Sequence, residues 1–246
     1  MKMKDLSALF RMKVLVINLE SRKDRLDLFQ EHWNWIGPIE RIDGIVSDIP
    51  HTGCGLAHCN AIRQGLEKSD WCLVLEDDAR LNCSREEFLA SISEALQGNW
   101  DAVILGPIND STRSSMPDRI SYVSENFIHC SSTNTLSSAV AVLWSRESLP
   151  IISEYEQLLK EGYIFPIDRM LLQFYWTATQ TDGWHSPFCP LYEYVEITPT
   201  PIVWISRHCL VIQAPGLISD NTREASVDVV KQTEDFLKIL CSTCSD

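Results

Sequence analysis

In the stretch Leu73-Val74-Leu75-Glu76-Asp77-Asp78, three apolar residues run directly into three carboxylates. An apolar run this short, bounded by polar residues, is typical of a buried strand. Such a strand would present its acidic end at the carboxyl edge of a sheet, where open α/β folds bind ligands. Adjacent carboxylates repel one another, and a hard cation such as Mg²⁺ or Mn²⁺ relieves that repulsion. We therefore predict a cation site at residues 76–78, the acidic run; a solvated acidic turn is the alternative.

Strand and helix patterns alternate on both sides of this stretch. Apolar, β-branched runs predict strands, and apolar residues that recur every three or four positions predict helices. The predicted strands are 13–19, 39–42, 71–75, 101–105, 138–144, 194–198 and 202–205. The predicted helices are one carrying Leu26, Phe29 and Trp33, and those at 53–68, 84–97, 148–160, 167–176 and 224–240, the third opened by a Ser84–Glu87 capping box. This alternation indicates an α/β fold, with a parallel or mixed sheet flanked by helices.

We see no repeat, linker or break in composition, so a single domain over residues 1–246 is expected. Residues 1–12 form an N-terminal extension in this interpretation. The segment 109–136 is polar, rich in serine and threonine, and irregular in pattern. A loop this long in a compact domain is either flexible or functional, and we expect a lid or acceptor-binding loop.

The amino-acid composition limits which cellular compartment and which class of binding partner are expected. The net charge of −13 argues against nucleic-acid binding, which needs a basic face. No segment has the roughly 20 apolar residues of a membrane span, and the apolar stretch near the start is too broken for a signal peptide. The nine cysteines are odd in number and scattered, which favours reduced thiols. We expect a cytoplasmic protein, with contact at a membrane surface left open.

Four segments resemble, in order and spacing, motifs of glycosyltransferase family 25, which includes bacterial lipooligosaccharide β-galactosyltransferases and collagen galactosyltransferases. These segments are Val16–Arg25 (VINLESRKDR), Gly53–Ala61 (GCGLAHCNA), Leu75–Asp78 (LEDD) and Trp100–Gly106 (WDAVILG). Weaker similarities follow at Pro166–Asp168 and at Gln213 with Ser219-Asp220. The chain departs from the second motif at Ala57, where the family usually has serine. The resemblance covers residues 13 to 221.

The resemblance implies a single-domain, GT-A-type (Rossmann-like) fold and a nucleotide-sugar donor, commonly with Mn²⁺. In such a reaction a divalent ion neutralises the charge that grows on the leaving diphosphate. We expect Asp78 to ligate Mn²⁺ or Mg²⁺ directly, while Glu76 or Asp77 assists through water or contacts the ribose. Glu76 and Asp78 would share a face in extended backbone. A late histidine often completes the metal shell in such enzymes, and both His185 and His208 are candidates for this ligand.

Other donor contacts are predicted near the end of the first strand. There a loop can hold base and ribose, and an arginine can pair with phosphate, which makes Asn18, Arg22 and Arg25 candidates. Charge pairing on a helix surface is the alternative for the arginines. His58 lies near the predicted start of a helix, a natural phosphate site, with a structural histidine as the alternative.

If the family's inverting stereochemistry holds, one carboxylate must deprotonate the acceptor hydroxyl. Asp168 is the first candidate because it begins a predicted helix after Pro166 and matches a family motif. Simple N-capping is its alternative role. Asp220 is a second candidate near the donor, and Asp101 is either a base-side or a structural carboxylate.

Together, these expectations predict a metal-dependent glycosyltransferase. It would move galactose or glucose from a UDP-sugar to a saccharide, lipid-linked or protein hydroxyl. One alternative is a catalytically inactive, glycosyltransferase-like binding or scaffold protein. Another is a sugar nucleotidyltransferase, which would carry an early Gly-rich, basic phosphate loop; residues 13–30 contain no glycine.

Overall fold

The short apolar runs of the sequence build a mixed β-sheet in the computed structural model, which describes residues 11–109, 120–130, 136–163, 166–171, 176–178, 192–194, 200–214 and 231–238. The strands are β1 (Lys13–Asn18), β2 (Ile39–Asp43), β3 (Trp71–Glu76), β4 (Ala79–Leu81), β5 (Ala102–Ile104), β6 (Ile108–Asn109), β7 (Ile120–Tyr122), β8 (Phe127–Cys130), β9 (Leu136–Ser137), β10 (Ala141–Ser145), β11 (Trp176–Ala178), β12 (Tyr192–Tyr194), β13 (Val203–Ser206) and β14 (Val211–Gln213). The helices are α1 (Lys23–Trp33), α2 (Pro50–Lys68), α3 (Arg85–Ala95), α4 (Leu149–Lys160), α5 (Ile167–Leu171) and α6, described over 231–238.

Eight strands form the main sheet, in the order β2-β1-β3-β10-β5-β13-β8-β7. Strands β1, β2, β3, β5, β7 and β13 run in one direction, and β10 and β8 run in the other. The register places Asn18 opposite Asp43, and Ile17 opposite Glu76. The carboxyl ends of β1, β2 and β3 therefore meet at one edge of the sheet, and they bring the acidic run beside Asn18.

Helices cover both faces of this sheet because successive strand residues point to opposite sides. On one face, Val14, Val16, Leu73 and Leu75 pack with buried residues of α1 and α3. On the other face, Leu15, Cys72 and Val74 pack with buried residues of α2, α4 and α5. The sheet and its helices form one α/β domain, which confirms the predicted fold class. No helix in the described part of the chain has the length and apolar character to cross a membrane.

An aromatic cluster at the end of α1 fixes the chain just beyond the acidic run. The Trp33 ring stacks on Phe29 and Trp35, with centroids 6.0 and 5.8 Å away, and meets Phe88 edge-on at 5.5 Å. Its indole Nε1 donates a 2.9 Å hydrogen bond to the Ala79 carbonyl. The buried indole thereby satisfies its one donor and holds the start of β4 against α1.

Most of the predicted elements are confirmed within the described residues. A strand overlaps each predicted strand. Of the strand predicted over 194–198, only Tyr194 lies in the described part. The capping box is also confirmed: the Glu87 amide donates to Ser84 Oγ at 3.2 Å, and the Ser84 amide donates to Glu87 Oε2 at 2.8 Å. Of the predicted closing helix, 231–238 is described and helical.

Two predicted boundaries are wrong. The segment 109–136 is not irregular throughout, because its described part contains β7 and β8, which extend the main sheet. These strands have three and four residues, too few for an alternating pattern to be recognised. The helix predicted over 167–176 is described over Ile167–Leu171, and its predicted end is wrong because Trp176 lies in β11, which pairs with β12. Tryptophan and threonine at 176 and 177 fit a pleated strand well.

Candidate functional site

A pocket of about 240 Å³ lies at the edge where β1, β2 and β3 end. Its walls come from four places in the chain: the end of β1, Arg25 of α1, the loop 44–47 with the first turns of α2, and the acidic run. Carboxyl ends of parallel strands are the usual ligand-binding edge of an open α/β sheet. Of the predicted site residues, this pocket brings together Asn18, Arg25, His58, Glu76, Asp77 and Asp78.

The acidic run does not continue in extended backbone. Glu76 is the last residue of β3, and residues 77–78 form a turn into β4. The Glu76 amide donates to the Val140 carbonyl at 3.0 Å, and the Ala214 amide donates to the Asp78 carbonyl at 2.7 Å. The prediction that Glu76 and Asp78 share a face of a strand is therefore wrong, since the turn brings all three carboxylates to the pocket.

Arg25 supplies the counter-charge of the acidic run. One of its terminal nitrogens lies 2.9 Å from Asp77 Oδ1 and 2.5 Å from Asp78 Oδ2, and all three side chains are buried. Charges this deeply buried are tolerated only when they are paired. The repulsion that the sequence suggested is thus relieved in part by an arginine 53 residues away from Asp78. Phosphate pairing by Arg25 stays a prediction.

Asn18 holds Asp77 in place. Its side-chain amide donates to Asp77 Oδ2 at 2.7 Å and to the Arg22 carbonyl at 2.9 Å, while its Oδ1 accepts from Arg41 Nε at 3.2 Å. An asparagine has two N–H donors, and both are used here. Because Asp77 also meets Arg25, both of its carboxylate oxygens have partners. Burial is the main cause of the raised pKa of Asp77, and the hydrogen bond from Asn18 and the charge of Arg25 oppose this rise.

Asp78 differs from Asp77 because only one of its two carboxylate oxygens has a partner among the described residues. Its side chain is 3% exposed, and Oδ1 has no hydrogen-bond partner among the residues that the structure describes. Burial, followed by the charge of Glu76, raises the pKa of Asp78 to about 7, and the Arg25 charge opposes this rise. A buried polar atom without a partner calls for an explanation. A cation at Oδ1 would provide one, because carboxylate oxygen is the preferred ligand of Mg²⁺ and Mn²⁺.

Two glycines bring α2 against its neighbours at the opposite wall of the pocket. A Cβ atom on Gly53 would lie 2.3 Å from the Ile45 carbonyl oxygen, and one on Gly55 would lie 2.5 Å from the Tyr155 hydroxyl. Real Cβ atoms do not approach so closely, so a side chain at Gly53 would displace backbone, and one at Gly55 would displace the side chain of Tyr155. The Gly-Cys-Gly sequence is therefore explained by close packing on both sides of α2.

The side chains of Cys54, His58 and Glu76 converge in the pocket. Their ligand atoms all lie within 4.8 Å of one another, and His58 Nε2 is 3.4 Å from Glu76 Oε1. Burial, with the charges of Glu76, Asp168 and Asp78 next in order, raises the pKa of the Cys54 thiol well above its ordinary value. Since α2 begins at Pro50, His58 lies in its third turn and not near its amino end as expected.

Three predicted residues lie outside the pocket lining. Arg22 lies 3.4 Å from the exposed Asp24. Asp168 lies in the first turn of α5, and its Oδ1 is buried without a hydrogen-bond partner in the described part of the chain. His208 follows β13 and is exposed. The pKa of Glu87 is lowered chiefly by hydrogen bonds from Ser84, and the charge of His208 makes a smaller contribution in the same direction.

The remaining candidates are placed by strand direction or fall outside the described ranges. Asp101 comes directly before β5, which runs parallel to β3, so it lies at the opposite edge of the sheet. Its Oδ2 accepts a 2.6 Å hydrogen bond from the Ile202 amide, which indicates a structural role. Asp220 and His185 lie outside the described residues.

Cys54 is a pocket residue with a potential metal ligand that the sequence reasoning missed. Residues four apart on a helix lie on one face, so the spacing of Cys54 and His58 could have identified the pair. The loop 44–47, which also lines the pocket, carries no comparable signal.

No family model matches the sequence, and no curated protein matches it. Solved structures give weak likenesses. A glycosyltransferase involved in the glycosylation of the major capsid of PBCV-1 aligns over 61% of this chain and 68% of its own, at 14% identity and a TM-score of 0.38. A197 from STIV aligns over 88% and 98%, at 11% identity and a TM-score of 0.41. Mannose-1-phosphate geranyltransferase from Thermus thermophilus aligns over 80% and 73%, at 9% identity and a TM-score of 0.40. Likenesses of this size carry no inference about activity, and membership of glycosyltransferase family 25 stays a prediction.

Proposed function

We propose that the chain is a metal-dependent glycosyltransferase. It transfers galactose or glucose from a UDP-sugar to a saccharide, lipid-linked or protein hydroxyl, with inversion. The observation that carries the proposal is the Asp78 carboxylate, which is buried beside Glu76 in a pocket at the carboxyl ends of β1, β2 and β3 and has one oxygen without a partner among the described residues. The motif order of the sequence supports the same assignment.

In this proposal each member of the acidic run has a separate task. Asp77 is held by Asn18 and Arg25 and keeps the turn in shape. Arg25 holds Oδ2 of Asp78, which leaves Oδ1 as a ligand for Mn²⁺ or Mg²⁺ together with Glu76. When bound, the ion acts as a Lewis acid that neutralises the charge on the leaving diphosphate.

Asp168 remains the proposed general base for the acceptor hydroxyl. Its buried Oδ1, which lacks a partner among the described residues, is an available proton acceptor. The helix that carries it, α5, packs in the same core as α2, and its charge contributes to the raised pKa of the Cys54 thiol. Asp220 is the second candidate of the same proposal.

The proposal extends to the organisation and location of the protein. We infer that residues 1–246 work as one domain, with 1–12 as an extension and 109–136 contributing to acceptor binding. Five cysteines of the described part are free thiols, which supports a reducing, cytoplasmic compartment; they are Cys54, Cys59, Cys72, Cys83 and Cys209.

The test is a hydrolysis screen of UDP-, GDP- and CMP-sugars with Mn²⁺, with Mg²⁺ and with EDTA, in which release of the nucleotide is measured. We expect UDP release that requires the metal and is lost in Asp78→Asn. Asp24→Asn is the matched control, because Asp24 is an exposed acid on α1 outside the pocket. UDP release that persists in EDTA and in Asp78→Asn would refute the metal role.

Two further outcomes would replace the proposal. Metal-dependent UDP binding in calorimetry, without turnover of any sugar nucleotide or acceptor, would indicate an inactive binding protein. Pyrophosphate release from a nucleoside triphosphate and a sugar phosphate would indicate a sugar nucleotidyltransferase.

A further inference from the structure

A cluster of three chemically different side chains lies beside the proposed donor site. Cys54 and His58 are four residues apart on α2 and so share a face of that helix. Glu76 reaches the same point from the end of β3, and the three ligand atoms lie within 4.8 Å of one another. Two different elements thus deliver a sulfur, a nitrogen and an oxygen to one place.

The His58–Glu76 distance fits two ligands of one ion better than it fits a hydrogen bond. His58 Nε2 and Glu76 Oε1 are 3.4 Å apart, whereas N–H···O hydrogen bonds usually measure about 2.7–3.2 Å. A tetrahedral zinc ion with bonds of about 2.0–2.2 Å to nitrogen and oxygen separates those two atoms by about 3.4 Å. A sulfur ligand of the same ion would lie about 3.6 Å from the nitrogen and oxygen ligands, and the Cys54 sulfur lies within 4.8 Å of both.

Burial fixes the position of the His58 ring. The side chain is 1% exposed, and Nε2 is the ring nitrogen that faces Glu76. A ligand atom that is already held in place by packing loses little freedom when it binds an ion. The geometry of the cluster therefore favours Nε2 as the nitrogen ligand.

We propose that Cys54, His58 and Glu76 form a three-ligand site for a borderline-soft divalent cation, with Zn²⁺ as its natural occupant. Thiolate, imidazole and carboxylate are all zinc ligands, whereas Mg²⁺ and Ca²⁺ prefer oxygen alone. Binding releases the proton of the Cys54 thiol to solvent. All three residues line the pocket, so a water or a substrate oxygen can fill the fourth position from there.

The proposed zinc site shares Glu76 with the proposed transferase site but does not depend on the transferase activity. Glu76 contributes Oε1 to this cluster, and a carboxylate has a second oxygen that remains for a hard cation beside Asp78. The site therefore does not require the transferase activity, and the two proposals can fail separately.

The test is a titration of the purified full chain with Co²⁺, which reports on a thiolate ligand through a sulfur-to-cobalt charge-transfer band in the near ultraviolet. We expect the band to saturate at one equivalent and to disappear on addition of Zn²⁺. Cys54→Ser should abolish it, and His58→Asn should weaken it. Cys83→Ser is the matched control, since Cys83 is a partly exposed thiol outside the pocket and should leave the band intact.

A second measurement covers the case in which Cys54→Ser does not fold. In the wild-type chain, Zn²⁺ should slow alkylation of Cys54, read by mass spectrometry, and should leave alkylation of Cys83 unchanged. No band, a band that survives in folded Cys54→Ser, or equal alkylation with and without Zn²⁺ would overturn the proposal. None of these results bears on Mn²⁺-dependent UDP release, whose diagnostic variant is Asp78→Asn.

Discussion

Replacing Asp78 with asparagine should stabilise the metal-free fold at high pH while it removes the proposed activity. In the unfolded chain this carboxyl titrates near pH 3.8, and in the fold its pKa is raised to about 7, chiefly by burial. Between these values the folded state binds a proton that the unfolded state has released, so the free energy of unfolding falls as the pH rises. At about 1.4 kcal/mol per pKa unit, the full cost above pH 7 is about 4 kcal/mol.

Asparagine cannot ionise, so the variant avoids this cost. The free energy of unfolding of Asp78→Asn, minus that of the wild type, should therefore grow by about 4 kcal/mol between pH 4 and pH 8. Urea denaturation in EDTA, followed by the fluorescence of the eight tryptophans, measures this difference. Adding Mn²⁺ at pH 8 should stabilise the wild type and leave the variant unchanged, because only the wild type keeps the ligand.

The control for this experiment is Asp24→Asn. The hydrogen bond and charge of Arg22 lower the pKa of the exposed Asp24, so it titrates below this pH range and its difference from wild type should stay flat from pH 4 to 8. A flat difference for Asp78→Asn, or one that shrinks as the pH rises, would refute the reasoning about the buried carboxylate.

Three further substitutions test the surroundings of the site. Arg25→Met leaves two buried aspartates without their counter-charge, so the free energy of unfolding at pH 8 should fall by about 3–5 kcal/mol, with part of the loss recovered at pH 5; an unchanged urea midpoint would contradict the ion pair. Gly55→Ala drives a methyl group against Tyr155 and should cost about 1–3 kcal/mol, read from the same denaturation curves. Ser84→Ala removes the cap of α3 and should cost about 0.5–2 kcal/mol, whereas a change in the UDP release rate would not be expected.

The elements that carry the site were predictable because their signals are local. The strands β1 and β3 have six residues each, four of which are buried, and the apolar runs within them stand out in the sequence. Because β1 and β3 are parallel, the residues that follow these two strands lie at the same edge of the sheet. The sequence alone therefore predicts that Asn18 and the acidic run lie together.

The pairing inside the pocket was not predictable, because it depends on residues far apart in sequence. Arg25 meets Asp78 across 53 positions, and the turn at 77–78 is set by hydrogen bonds from Ala214 and to Val140. No local pattern records such contacts. Asp101, by contrast, could have been excluded from the site, since a residue that precedes a parallel strand lies at the edge opposite to one that follows it.

The hydrogen bond from the Ala214 amide to the Asp78 carbonyl has a consequence for the order of synthesis. The acidic run is made in the first third of the chain, yet its turn is held by β14, near the end of the described sheet elements. A nascent chain that lacks β14 has all the carboxylates and lacks the contact that fixes them. The proposed cation site is therefore completed late, after most of the polypeptide has left the ribosome and folded.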